Sequence, residues 1–380
     1  MPITALDRLR TQASSATLFA PTTLADALRR LGFVQADPIR APARAQDLIL
    51  CHRVRGYRAG DLDRSFARLG LEEDFLYAYG FMPPDTAWLL HPRPDPGCEA
   101  GVHAPTGLAA EVLAFVQAHG PTHPRDLEQR FGRERAVNGW GGFSKATTRA
   151  LEGLHHYGLL RVAQRRDGIR VYAAVPPSPA RMELEPSEQA RQLVMLVAGL
   201  LAPVSAVSLR GALALMARRN PGLGPLGPVV ATALRRGELE QETVEGETYL
   251  RPAADRGWQH GAAPSGVRLL APFDPVVWDR RRFEHLWGWA YRFEAYTPPP
   301  RRQFGYYALP LLWRGAVIGW ANLTLPGGKL DAAIGYAQRA PMSMEFRRAL
   351  DAELARVERF LTPTGTGRKM PDCMLEAVVD

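Results

Sequence analysis

Lysine is almost missing from this chain of 380 residues. Only Lys145, Lys329 and Lys369 occur among its 47 basic side chains, and the rest are arginine. A reaction that needs an amine nucleophile therefore has few candidates. Cysteine is as scarce. Cys51, Cys98 and Cys373 are odd in number and far apart, which argues against a disulfide framework or a thiolate metal site and fits a reducing cytosol. Long apolar runs are missing too. The longest, LVMLVAGLLAPV at Leu193–Val204, falls short of the roughly 18–20 residues of a membrane span and contains Pro203. The start, MPITALDRLR, lacks the apolar segment of a secretory signal. No G-x-G-x-x-G, P-loop, H-E-x-x-H or G-x-S-x-G occurs, which leaves nucleotide-binding, zinc-protease and serine-hydrolase chemistry without support. The nine histidines are scattered. His52 and His285 have no partner at metal-ligand spacing, and His155-His156 sit at a helix end where they cap or pack. No metal and no cofactor are expected.

What is present is positive charge. The net charge is +8 and the pI about 9.7, a balance that points to a polyanion, most often nucleic acid. Arginine suits bidentate contacts to phosphates and base edges. A GC-rich coding sequence would give the same arginine bias, so the net charge is the firmer signal. Hydrophobic content of 46% and charged content of 23% are those of a globular protein. The length predicts two to four domains.

Proline-rich breaks at His91–Gly107, Val175–Ser187 and near Gly257–Gly266 suggest the joints. They predict an N-terminal unit (1–105), a second (106–176), a third (186–256), a C-terminal β-rich subdomain (266–362) and a tail (363–380). The second reads most clearly. GLAAEVLAFVQAHG is a helix ending at Gly120, HPRDLEQRFG a second, and SKATTRALEGLHHYGLL a third capped by Ser144. Strands LLRVAQ and IRVYAAV follow, with Asp167-Gly168 as a hairpin turn. Three helices and a basic hairpin make a winged helix-turn-helix. Its third helix would offer Lys145 and Arg149 to DNA, and its wing Arg165 and Arg166. The third unit repeats the plan with an acidic wing turning at Glu245-Gly246, better suited to spacing than to reading DNA. The first is a looser copy: TLADALRRLG as a helix, then AQDLILCHRV and DLDRSFARLG, then DFLYAYGFMP as a strand. The expected fold is α+β: tandem winged helices, a C-terminal β-rich subdomain with a closing helix, and a concave DNA-binding face. In that helix Phe346, Leu350, Leu354, Val357 and Leu361 form one stripe.

Two features carry chemistry. Gln35-Ala36-Asp37 puts an amide and a carboxylate two residues apart after a helix. Residues i and i+2 of an extended segment share a side, so Gln35 and Asp37 can share one water molecule. The same triplet also suits a polar turn before Pro38. The second feature is YRFEAYTPPPRRQFGYYALPLL, read as two strands joined by a proline-stiffened tip. Arg301, Arg302, Gln303 and Tyr306 would project from it, with Phe304 and Tyr307 close behind, a composition that suits insertion into a DNA groove. Arg44, near the triplet, and Arg281 and Arg282, in the cluster Trp278–Arg282, are further candidate DNA contacts. A charge run is also the usual mark of a solvated helix face.

VQADPI, LAPFDPVVWDRRRFEHLWGW, the YRFEAYT segment and VIGWANL resemble the YcaQ/AlkZ-like crosslink-repair DNA glycosylases. The resemblance covers about Leu24 to Leu361 and is most specific over Leu269–Leu323. It implies tandem winged helices, double-stranded DNA with alkylated bases or crosslinks as substrate, and excision of N-alkylated purines. It also implies a catalytic Q-x-D motif on Gln35 and Asp37 and a DNA-probing hairpin on Thr297–Tyr307. One departure stands out. Where the family carries an aromatic-Ala-His stretch, this chain has Tyr77-Ala78-Tyr79, so Tyr79 becomes the candidate for positioning water or DNA. With so few lysines the expected enzyme is monofunctional, a cytoplasmic monomer associated with the nucleoid. The alternative is a non-catalytic winged-helix DNA-binding protein or transcriptional regulator.

Overall fold

The computed structural model describes residues 3–91, 93, 104–137, 143–166, 168–176, 184–253 and 265–362. They form a mixed α/β protein with small antiparallel sheets, none closed into a barrel. The tail from 363, Cys98, Cys373, Asp167 and most of the three proline-rich joints lie outside the described residues.

The first region holds α1 (Ala5–Ser15), α2 (Leu24–Leu31), β1 (Val34–Gln35), α3 (Ala45–Leu50), α4 (Asp61–Ser65), β2 (Glu72–Phe75), β3 (Tyr79–Met82) and α5 (Pro84–Trp88). Thr23 caps α2 by accepting from the Asp26 amide, and Gly32 ends it in the left-handed region. The expected single strand DFLYAYGFMP is a hairpin instead. Leu76 N–H donates to the Ala78 carbonyl and closes a tight turn between β2 and β3. β3 then pairs with β1 to make a three-stranded sheet.

The second region follows the sequence reading closely. Helix α6 (Gly107–His119) is ended by Gly120, α7 (Pro124–Phe131) follows, and after α8 (Ala146–His156) come β6 (Leu160–Arg166) and β7 (Ile169–Ala174). Two short strands, β4 (Arg135–Val137) and β5 (Phe143–Lys145), were not anticipated. Ser144 belongs to β5, and Lys145 takes the cap position of α8. His155 and His156 pack as expected, and burial depresses each to a pKa of about 4.

The third region repeats the order. Helices α9 (Pro186–Leu200), α10 (Ala206–Arg219) and α11 (Gly227–Arg235) are joined by the short β8 (Val204–Ser205) and followed by β9 (Leu239–Val244) and β10 (Glu247–Pro252). Glu245 and Gly246 turn the hairpin with positive φ. The acidic wing is neutralised from within the protein: Glu240 and Glu242 pair with Arg251, Glu242 also with Arg8, and Glu247 with Arg281.

The C-terminal region has β11 (Arg268–Leu269), α12 (Pro275–Trp278), α13 (Arg280–Trp287), β12 (Leu309–Trp313), β13 (Ala316–Thr324), β14 (Asp331–Tyr336) and α14 (Met344–Leu361). Its sheet runs β11-β12-β13-β14. The buried face of α14 is Phe346, Glu353, Val357 and Phe360; Leu350, Leu354 and Leu361 are only partly covered.

First and C-terminal regions are joined by buried ionic contacts. Arg53 and Asp274, both fully buried, form a two-pronged pair at 2.8 and 2.9 Å, and Arg53 also donates to the Thr17 and Ile49 carbonyls. The Glu353 carboxylate accepts from the Leu269 amide, while Arg356 donates to Glu353 and to the Cys51 carbonyl.

Candidate active site

Gln35 is the last residue of β1 and lies opposite Gly80 of β3. A side chain on Gly80 would strike the Val34 carbonyl at 2.4 Å and the Phe33 ring at 2.5 Å, so the close pairing requires glycine there. Beyond Gln35 the chain leaves the ladder after one more bond, Ala36 N–H to the Tyr79 carbonyl. Gln35 and the Phe33 ring share the face on which Gly80 pairs, and Asp37 follows two residues on, past the end of the ladder. Phe33 packs on Tyr77 and Tyr77 on Trp278, at centroid distances of 5.3 and 4.9 Å, giving that face an aromatic floor.

The two motif side chains differ in how they are satisfied. One Asp37 oxygen accepts from the Ile39 amide at 2.9 Å, and the Asp37 amide donates to Gln46 at 3.3 Å. The other Asp37 oxygen takes no hydrogen bond from a described residue. Partial burial raises the Asp37 pKa above its ordinary value, with the Ile39 contact acting in the opposite sense. The Gln35 side-chain oxygen is buried and has no partner among the described residues. An unpartnered buried amide oxygen and a half-buried carboxylate therefore stand two residues apart at a strand end.

Tyr79 does not join them. It lies on the face opposite Gln35, where its hydroxyl donates to Glu73 at 2.7 Å beneath the Arg170 guanidinium. Glu73 is fully buried. Burial alone would raise its pKa, but the fork from Arg165, two bonds of 2.6 Å, holds it below the ordinary value. Glu73 thus ties the β6–β7 hairpin to the sheet that carries the motif. The sequence contained one sign of this, an acidic triplet Glu72-Glu73-Asp74 running into an apolar segment, where solvated charges would be out of place.

The segment 291–308 is not the expected hairpin. Pro298–Pro300 have no amides to donate to a ladder, and a single 3-10 turn, Pro299–Arg301, forms the tip. A buried carboxylate fixes the loop instead: Glu294 accepts from the Gln303 and Phe304 amides at 3.0 and 2.7 Å. Arg302 donates back to the Thr297 carbonyl and stacks over Tyr306. Gly305, at φ 113°, is pressed against Asn322, whose amide holds the Phe304 carbonyl. Phe304 and Tyr307 are buried, so neither can serve as an exposed wedge. Tyr296 is 81% exposed and Tyr306 40%. Sequence composition did not single out Tyr296. Tyr307 points inward, edge-on to Phe293 at 5.3 Å, and its hydroxyl is buried without a described partner. The nearby Asp37 charge adds to burial in raising its pKa, so the phenol stays protonated.

The candidate DNA contacts divide sharply. Arg282 is a correction: it is fully buried and gives four hydrogen bonds to the carbonyls of Leu201, Pro203, Pro275 and Val276. Arg280, in the same cluster, is spent on the Val277 and Pro272 carbonyls and the Tyr291 ring. Arg281 is paired with Glu247, Arg165 with Glu73, Arg44 with Asp63 and Asp47, and Lys145 with Glu128. Arg149, Arg166, Arg301 and Gln303 are exposed. Helices α7 and α8 and the β6–β7 hairpin enclose an open cleft of about 660 Å³, where Arg125, Arg133, Lys145, Arg165 and Arg170 face Glu128 and Glu152. Among the described residues no group of three or more His, Cys, Asp or Glu is placed to hold a metal, and no helix is long and apolar enough to cross a membrane.

The fold and site thus define a mixed α/β protein with an acid–amide pair at a strand end and an arginine- and tyrosine-bearing loop. The model of a known family, described as DNA glycosylase AlkZ-like, matches residues 28–360. The chain belongs to this family, as the resemblance in its motifs implied. At the level the family defines, it is a DNA glycosylase, a hydrolase of N-glycosyl bonds acting on DNA in repair.

Proposed function

We propose that the chain is a monomeric, monofunctional glycosylase that removes N7-alkylguanine and related N-alkylpurines and unhooks interstrand crosslinks built on the same adduct. The observation that carries this reading is the half-buried Asp37 carboxylate two residues from Gln35, whose unpartnered oxygen is buried at the end of β1. An N7-alkylguanine is already cationic and leaves readily, so no strong general acid is required. The enzyme must stabilise positive charge developing on the deoxyribose and place a water at C1′. An ionised Asp37 suits both roles, by electrostatics and as general base, and Gln35 orients the same water. The glycosidic electron pair leaves with the purine, the water oxygen bonds to C1′, and its proton passes to Asp37.

The helix–helix–helix–hairpin order of the second and third regions supports a reading as tandem winged helices, with the first region as a looser copy. In this reading the four units keep the boundaries predicted from the sequence, and their concave face binds DNA. Lys145, Arg149, Arg166, Arg301, Gln303 and Tyr306 meet the backbone, and Tyr296 replaces the buried Phe304 and Tyr307 as the wedge that unstacks bases. Arg44 and Arg165 hold the protein side of the interface through Asp63 and Glu73. A crosslinked base cannot swing out of the helix as an ordinary flipped base does, which favours an open cleft.

The test is excision from duplex DNA carrying one N7-methylguanine or a nitrogen-mustard crosslink, with abasic sites revealed by alkali. Wild type should give product, and Asp37→Asn and Gln35→Ala should lose it while still binding DNA. No product from a folded, DNA-binding wild type would leave a binding protein without catalysis.

A further inference from the structure

Strand β1 is a short support for the motif it carries. It makes two ladder pairs with β3, Val34 with Phe81 and Gln35 with Gly80, and one further bond runs from the Ala36 amide to the Tyr79 carbonyl at 2.9 Å. The backbone of Gln35 and Ala36 therefore stands where residues 79–81 stand. Opposite Gln35, β3 has no side chain to hold it, because any side chain on Gly80 would strike the Val34 carbonyl. The hold at this point has to come from the other face of the sheet.

On that face Tyr79 and Glu73 are diagonal neighbours across the β2–β3 ladder, since Tyr79 pairs with Phe75 and Glu73 with Phe81. The Tyr79 hydroxyl donates to Glu73 at 2.7 Å. The same carboxylate takes the Arg165 fork, with Arg170 Nε 3.4 Å away and the Arg170 guanidinium 4.6 Å above the Tyr79 ring. Arg165 and Arg170 are partners across the β6–β7 ladder. One fully buried carboxylate thus receives the tyrosine of the motif sheet and both arginines of the hairpin in the second region. Burial, and then the Glu73 charge, raise the Tyr79 pKa well above its ordinary value, so the phenol stays a donor.

We infer that Tyr79 is a positioning residue for the Q-x-D motif: through Glu73 it fastens β3 to the β6–β7 hairpin, and β3 in turn sets the backbone of Gln35 and Ala36. The inference rests on the glycosylase reading above and adds to it the route by which the second region holds the catalytic strand. The hydroxyl faces away from the motif and acts through the backbone carbonyl of its own residue. Arg165 and Arg170 also line the cleft between α7, α8 and the hairpin, so the side chains that border the cleft are the ones that brace the motif from behind.

The test uses the full chain and the Tyr79→Phe variant, which keeps the ring beneath Arg170 and leaves Glu73 paired with Arg165. Two readouts are needed. Under single-turnover conditions with saturating N7-methylguanine duplex, the variant should cleave about 10-fold more slowly with its Kd for DNA unchanged, because a small misplacement of a catalytic group costs rate and not binding. In the free protein, residue-resolved hydrogen exchange should show the Ala36 amide exchanging on the order of 10-fold faster, while the amides of β6 and β7 keep their wild-type rates. Equal cleavage rates in an active wild type and the variant would overturn the inference and leave the glycosylase reading intact. Exchange that quickens in the hairpin as much as at Ala36, or not at Ala36 at all, would also overturn it, since the hydroxyl would then be a general fastening or none. A wild type that excises nothing, combined with faster exchange at Ala36 alone in the variant, would refute the glycosylase reading and leave the bracing of the motif strand standing.

Discussion

Replacing Arg282 by methionine separates a structural arginine from a DNA-binding one. Its guanidinium reaches four carbonyl oxygens at 2.5, 3.0, 2.7 and 2.8 Å, two on the loop before β8 and two around α12. The loop at Leu201–Pro203 belongs to the third region and Pro275–Val276 to the C-terminal region, so the side chain joins the two. Asp279 assists from the same turn, accepting from the Ser205 and Arg282 amides and the Ser208 hydroxyl. Hydrogen bonds to a charged group are worth about 1.5–3 kcal/mol each, which would sum to an implausible total. The cost of keeping a guanidinium out of water offsets much of it, and methionine refills most of the volume. The net loss expected is about 3–5 kcal/mol, typical of breaking a buried ionic arrangement from one side. Against a total stability of about 5–15 kcal/mol this is severe. In urea unfolding the midpoint should fall by on the order of 1 M or more. Arg281→Ala, one position away, removes an exposed pair with Glu247 and should cost less than about 1 kcal/mol. A midpoint moved by only a few tenths of a molar, together with weaker DNA binding and a salt slope reduced by about one, would refute the structural assignment and restore Arg282 as a phosphate contact.

Four further predictions concern the site. Asp37 must be ionised to act and its folded-state pKa is raised by burial, so the rate should fall on acidification with an inflection above the ordinary aspartate value of about 4; a flat single-turnover profile through that range would exclude Asp37 as base. The same shift is a stability penalty that grows as pH rises from the unfolded-state pKa through the folded-state one, so Asp37→Asn should not lower the melting temperature at pH 7. Tyr296→Ala should leave the fold intact but weaken unstacking, seen as a smaller rise of 2-aminopurine fluorescence beside the lesion on binding; an unchanged rise would remove Tyr296 as the wedge. Borohydride should trap no enzyme–DNA adduct, since Lys145, one of only three lysines, is assigned to a phosphate and not to the abasic sugar; a trapped adduct would show a lyase step.

Local physics was legible in the sequence. Helices α6 to α11, the β6–β7 and β9–β10 hairpins, and the turn at Glu245-Gly246 follow from apolar spacing, caps and turn residues, which act over a few positions and need no distant partner. The triplet itself disclosed an amide and a carboxylate two residues apart. The motif-rich C-terminal stretch marked the family before any coordinates. What the sequence could not disclose was the fate of each charged or aromatic side chain. Arg281 and Arg282 are neighbours in one cluster, yet one is at the surface and the other is sealed inside, because helix α13 turns about 100° per residue and only packing decides which direction is inward. Tyr79 and Glu73, and Arg53 and Asp274, are brought together by sheet pairing and by contacts between regions more than 200 residues apart in the longer case. Composition cannot encode such meetings. The loop 291–308 shows the same limit: its prolines were visible, but the carboxylate that replaces a ladder of backbone bonds acts only once the chain has folded around it. The sequence by itself determined most of the helices, the β6–β7 and β9–β10 hairpins, the basic character and the acid–amide pair. The tertiary structure decided which arginines are structural, where Tyr79 points, and which tyrosines of the 291–308 loop are buried, because burial and long-range contact are properties of the folded chain alone.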